Sequence, residues 1–189
     1  MTTATATPPT DVLLTAEQYA ELPDDGRRTE LVNGKVVEVP PPSFRHGVIA
    51  NRAGRLIGNY VEANKLGWVT SNDSGVPTRR GPDTVRGPDV AFYSFARIPA
   101  DQSPDGYPAV APELIVEVRS PSKTWRAINT KVAEYFAAGV KLVCVLDPDT
   151  ASVGVYTPDE FPRRLTADEE LTLPEVFPDF RVPVREFLV

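Results

Sequence analysis

The stretch from Glu113 to Leu146 constrains the fold more than any other part of the chain. Glu113-Leu114-Ile115-Val116-Glu117-Val118 is an almost unbroken apolar run of strand length, the pattern of a strand buried on both faces. From Trp125 to Ala138, the residues Trp125, Ile128, Val132, Tyr135 and Phe136 recur at spacings of three and four, a helical stripe that Gly139 closes as a C-terminal cap. Leu142 to Leu146 is apolar again and stops at Asp147-Pro148-Asp149. A strand, helix, strand succession of this length predicts a right-handed crossover between two strands of a parallel pair.

The first half reads differently. Thr15 to Leu22 opens on a threonine cap, which predicts a short helix ended by Pro23. Thr29-Glu30-Leu31-Val32 and Lys35-Val36-Val37-Glu38-Val39 flank Asn33-Gly34, a strong hairpin signal. Residues 45–64 carry apolar positions at helical spacing and are expected to pack on that hairpin. Trp68 to Thr70, Gly75 to Thr78, Pro88 to Tyr93 and Val153 to Tyr156 predict further strands, and residues 96–112, with four prolines, a loop. The proline-punctuated tail from Leu171 to Val189 is expected to wrap the body. The fold class predicted is α/β, a mixed sheet with an antiparallel start and a parallel finish, flanked by helices.

At 189 residues the chain suits one domain, expected over residues 13–189 behind a disordered leader at 1–12. The single cysteine, Cys144, lies in an apolar run, so it reads as a buried inert thiol in a reducing compartment. No apolar stretch approaches the roughly 20 residues of a membrane span. A soluble, cytoplasmic protein is expected. A net charge of −6 argues against a broadly basic, nucleic-acid-binding surface. A local rim remains available from Arg27, Arg28, Arg45, Arg52, Arg55, Arg79, Arg80 and Arg86.

Three polar residues stand where apolar ones belong. Glu117 sits inside the central strand, where strand alternation places Ile115, Glu117 and Arg119 on one face and Leu114, Val116 and Val118 on the other. Asp89 lies opposite Val90 and Phe92, and Lys131 flanks the buried stripe of its helix. Taken singly, each has a plain structural explanation: an ion pair, a turn aspartate, a lysine reaching solvent. Together, two strand-borne carboxylates and a lysine on the following crossover helix are what metal-assisted phosphodiester hydrolysis needs. Carboxylate oxygens suit Mg²⁺ with waters retained, and a lysine can orient the attacking water.

These residues also carry a resemblance to a known family. Glu30 to Glu38, Pro42-Ser43 leading to His46 and Ile49, Val85 to Phe92, Pro112 to Ser122, and Lys131 through Ala138-Gly139-Val140 to Leu146-Asp147-Pro148 resemble the Uma2 family of the PD-(D/E)xK nuclease superfamily. The resemblance implies a restriction-endonuclease-like core in which Asp89 and Glu117 bind Mg²⁺ or Mn²⁺ and Lys131 is the catalytic lysine, moved onto the helix. Arg119 occupies the usual lysine position. Glu30 would add a metal contact or orient a water, with His46, Arg119 and Tyr135 in supporting roles. The activity implied is a metal-dependent endonuclease acting on DNA; a homodimer is expected separately, because an enzyme that cuts both strands of a duplex is most simply a two-fold dimer. The alternative is a catalytically silent nuclease-fold module that binds or regulates.

Overall fold

The computed structural model describes residues 13–189; the expected leader lies outside the described residues. Thr15 caps α1 (Ala16–Ala20) through a reciprocal pair of bonds with Gln18. The hairpin of β1 (Thr29–Val32) and β2 (Lys35–Glu38) turns on Asn33 and Gly34, both at positive φ, and a side chain on Gly34 would run into Leu13. With β4 (Val76–Arg79) and β5 (Thr84–Arg86) this hairpin forms a four-stranded antiparallel sheet ordered β2-β1-β5-β4.

The larger sheet has six strands in the order β10-β9-β8-β7-β6-β3. They are β3 (Gly67–Ser71), β6 (Val90–Ser94), β7 (Leu114–Val118), β8 (Leu142–Asp147), β9 (Ser152–Tyr156) and β10 (Arg163–Thr166). Its one parallel pair is β7 with β8, joined by α3 (Trp125–Ala138) as the crossover. Gly139 ends α3 at φ 99°, the left-handed cap expected there. The mixed sheet is therefore present, while the antiparallel opening belongs to a sheet of its own.

Alternation along β7 sorts two cores. Leu114, Val116 and Val118 face α2 (Phe44–Ala63), whose buried stripe is Ile49, Ala53, Ile57 and Val61. Ile115 faces α3 with Ile128, Val132 and Tyr135. Placing α2 on the β1–β2 hairpin was an expectation that fails: α2 packs on β3, β6 and β7. Its wide apolar stripe needs a wide apolar partner, and β2 is exposed along its whole length. Trp125, expected in the buried stripe of α3, is 43% exposed, with the Arg119 guanidinium 5.2 Å from its ring. The tail forms a hairpin, β11 (Glu170–Leu173) with β12 (Phe177–Pro183), and a short 3₁₀ turn. It drives Phe177, Phe180 and Phe187 into the α2 core, with Phe177 edge-on to Phe92 at 4.7 Å. Cys144 is buried there, its thiol pushed up to about 12 by desolvation.

Candidate functional site

The two sheets meet at a cavity of about 780 Å³ that opens between the β2–α2 linker and the turn after β7. Glu117 enters it from the α3 face of β7. Asp89 lies just ahead of β6, and extending the β6–β7 register (Val90 opposite Val116) by one residue sets it opposite Glu117. Asp89 Oδ2 accepts a hydrogen bond from the Val118 N–H at 2.7 Å, which ties the two strand ends together. Its Oδ1 faces His46 Nε2 at 2.8 Å, and His46 Nδ1 lies 3.1 Å from Ser120 Oγ. His46 can stand there because Ser43 caps α2 and bonds the His46 N–H, fixing the first turn of that helix beside the acid.

On the other side, α3 presents Lys131, Glu134 and Tyr135, positions i, i+3 and i+4 of one face. Lys131 Nζ donates to Glu30 Oε1 at 2.9 Å and to Glu117 Oε1 at 3.3 Å. The Tyr135 hydroxyl donates to the same Glu117 oxygen at 2.5 Å. Arg86 on β5 donates to Glu30 Oε2 at 2.8 Å and grips Glu134 through Nε and Nη2 at 2.6 and 2.9 Å. Glu30 comes from the small sheet and Asp89 and Glu117 from the large one, so the site exists only where the two sheets are held together.

Burial sets the electrostatics. Desolvation pushes the Glu117 carboxyl up, and the Asp89 charge adds to this while Lys131 opposes it. Burial alone would raise Glu30 too, but the Lys131 ammonium and Arg86 outweigh it and hold that carboxyl below its ordinary value. Lys131 runs against its own desolvation, since Glu117 and Glu30 raise its pKa and keep it an ammonium. The hydrogen bond to Asp89 raises His46 above the ordinary imidazole value. Burial and the Glu117 charge lift the Tyr135 phenol well above the usual range, so it remains a donor.

Over residues 16–185 the chain matches the family Uma2, described as "Putative restriction endonuclease". It belongs to that family. A crystal structure of a protein from Anabaena variabilis, described as a "putative nuclease belonging to DUF820", matches 92% of this chain and 97% of that one at 19% identity and a TM-score of 0.79. The architecture of this Uma2 chain is accordingly that of a nuclease fold. No curated protein matches it.

Of the site residues expected from the Uma2 resemblance, Glu30, His46, Asp89, Glu117, Lys131 and Tyr135 converge. Arg119 does not. It turns to Asp147 Oδ1 at 3.0 Å and Asp149 Oδ2 at 3.1 Å, away from the cavity. Among the described residues no group of three or more His, Cys, Asp or Glu side chains gathers as a ligand set. What is available is a pair of opposed carboxylates, with the hydrogen bonds that the described residues give Glu117 all falling on Oε1. That set suits a hard divalent ion that keeps waters, rather than a closed zinc site.

The expected arginine rim is mostly engaged elsewhere. Arg27 pairs with Asp25, Arg80 with Glu17 and Asp83, Arg79 with Asn33, and Arg45 and Arg52 with the Pro148 and Leu188 carbonyls. Arg28, bound to Asp73, and Arg86 line the cavity. Sequence reasoning missed Arg86 as a structural member of the site and missed Glu134 altogether. Glu134, three residues after Lys131 on one helix face, was the signal available.

Among the described residues no helix is long and apolar enough to cross a membrane.

Proposed function

We propose that this chain is a divalent-metal-dependent endonuclease that hydrolyses phosphodiester bonds in DNA. The observation that carries the reading is Glu117, a buried carboxylate with one oxygen held by Lys131 and Tyr135, the other without a hydrogen bond from the described residues, and Asp89 opposite. Asp89 and Glu117 would hold Mg²⁺ or Mn²⁺. Charge supports this: Glu30, Asp89, Glu117 and Glu134 against Arg86 and Lys131 leave an excess of two negative charges before His46 is counted. Bound there, such an ion lowers the pKa of a water and offsets charge building on the phosphoryl group.

The protein groups have separate tasks. His46 and the Val118 N–H fix both oxygens of Asp89, so that carboxylate is presented in one orientation. Tyr135 fixes one oxygen of Glu117. Lys131, kept as an ammonium by its two carboxylates, cannot accept a proton, so its role is to place a donor and a positive charge beside the scissile phosphate. Two copies related by a two-fold axis would present one such site to each strand of a duplex.

A silent binding module is the second reading, favoured by one observation: three of the four Lys and Arg side chains lining the cavity, Arg28, Arg86 and Lys131, are already in ion pairs, leaving Lys123 for phosphate. Calorimetric titration of Mg²⁺ or Mn²⁺ into wild type and Glu117→Gln, with plasmid nicking of both, separates the two. Binding and nicking lost together in the variant establish the hydrolytic site. A wild type that neither binds the ion nor nicks leaves the silent module.

A further inference from the structure

We infer that Arg86 and Glu134 form a clasp that positions Lys131 and that they act through it. This rests on the nuclease reading for its kinetic consequence but not for its geometry. Arg86 is 9% exposed and lies on β5, a strand of the small sheet, and it reaches α3, whose buried face packs on the large sheet while its backbone runs alongside β4. It meets Glu134 with two parallel N–H donors at 2.6 and 2.9 Å, the fork geometry that fixes both distance and plane. Its remaining Nη1 holds Glu30 Oε2 at 2.8 Å, and the Gly87 N–H holds Glu30 Oε1 at 3.3 Å. Both oxygens of Glu30 are thereby set before Lys131 reaches one of them.

The contacts run from Glu134 through Arg86 and Glu30 to Lys131, and they close into a ring because Glu134 and Lys131 are one helical turn apart on α3; Glu117 is held from that ring by Lys131. A closed ring of this kind removes the freedom that a four-carbon lysine stem otherwise has. Without the clasp, Lys131 keeps its carboxylates within reach but loses the frame that decides where its ammonium points, and β5 loses its bidentate tie to α3. Groups that hold a reacting constellation from behind typically matter by about 10- to 100-fold.

The test uses the full chain with Arg86→Lys, which keeps the charge and loses the fork, and Glu134→Gln, which keeps the volume and loses the charge. Melting curves first establish that each variant folds; if Arg86→Lys does not, Glu134→Gln carries the test alone. The first measurement is the ¹⁵N resonance of the Lys131 ammonium, which requires no catalysis: both variants are expected to shift it or broaden it by faster hydrogen exchange. The second is nicking, where kcat is expected to fall about 10- to 100-fold with KM within about twofold. Folded variants with the Lys131 resonance and kcat of the wild type overturn the clasp. A resonance that moves in a protein that never nicks leaves the clasp standing and removes the nuclease reading instead.

Discussion

Replacing Tyr135 by Phe isolates one contact at the centre of the site. The ring is fully buried, at 0% exposure among Ile128, Val132 and Ile115, and Phe preserves that packing, so the only loss is the hydroxyl 2.5 Å from Glu117 Oε1. A hydrogen bond to a charged group contributes about 1.5–3 kcal/mol. Lys131 still donates to the same oxygen at 3.3 Å, which places the expected cost in the lower part of that range, about 1.5–2 kcal/mol. For a chain of this size that corresponds to a fall in Tm of about 3–8 °C. Urea unfolding and thermal melts without added metal measure it. In a Glu117→Gln background the acceptor is neutral and the same bond is worth about 0.5–1.5 kcal/mol, so the two substitutions should couple by about 1 kcal/mol. Equal or greater stability of Tyr135→Phe, or strict additivity of the pair, refutes the claim that the phenol holds a charged carboxylate.

Other substitutions test the frame around the site. Asp83 accepts from the Ala16 and Gly81 N–H groups and from Arg80, and these bonds hold its carboxyl below the ordinary value of 3.8. Its stabilisation is therefore present above about pH 4 and lost as pH falls through the lower folded-state value, so Asp83→Asn should cost about 1–2 kcal/mol at pH 7, with the difference from wild type closing in acid unfolding titrations. Gly139 has open space where a Cβ would go but sits at φ 99°, so Gly139→Ala should cost about 1–2 kcal/mol of backbone strain in urea, and a neutral result would mean that the cap is not left-handed in solution. Arg119→Gln strips the buried Asp147 of its cation and should cost about 3 kcal/mol, while nicking by the folded variant at low temperature stays at the wild-type rate; a slower rate would return Arg119 to the site.

How far the sequence foretold this arrangement depends on whether a feature is local. The crossover from β7 through α3 to β8 was legible because each part carries its own signal: an apolar run, a three-and-four stripe, a glycine that ends the helix. Glu117 was legible for the opposite reason, as a charge where burial forbids one without a partner. Asp89 needed more. It lies outside its strand, and only the antiparallel neighbourhood of β6 and β7 brings it opposite Glu117. The docking of α2 was misjudged because periodicity identifies the face a helix buries and says nothing of what it buries it against. Strand β5 has three residues between Gly81-Pro82 and Gly87-Pro88, too short for any period, so Arg86 looked like one more surface arginine.

Arg86 and Glu134 mark the general limit. A lone carboxylate in a core strand is conspicuous because its cost is unpaid within its own segment, whereas an arginine in a turn-rich stretch and a glutamate on a helix each look satisfied by water. Their pairing appears only when β5 and α3 come together, with Glu30 on the other side of Arg86. The same juxtaposition explains why an acidic chain can house such a site. Most of the arginines expected to form a rim neutralise carboxylates or bind carbonyls, and at the site, among the described residues, the four carboxylates Glu30, Asp89, Glu117 and Glu134 face only Arg86 and Lys131 as permanent cations. Sequence-wide net charge therefore says little about this cavity; the pairing of each charge decides which acids remain free to hold a cation.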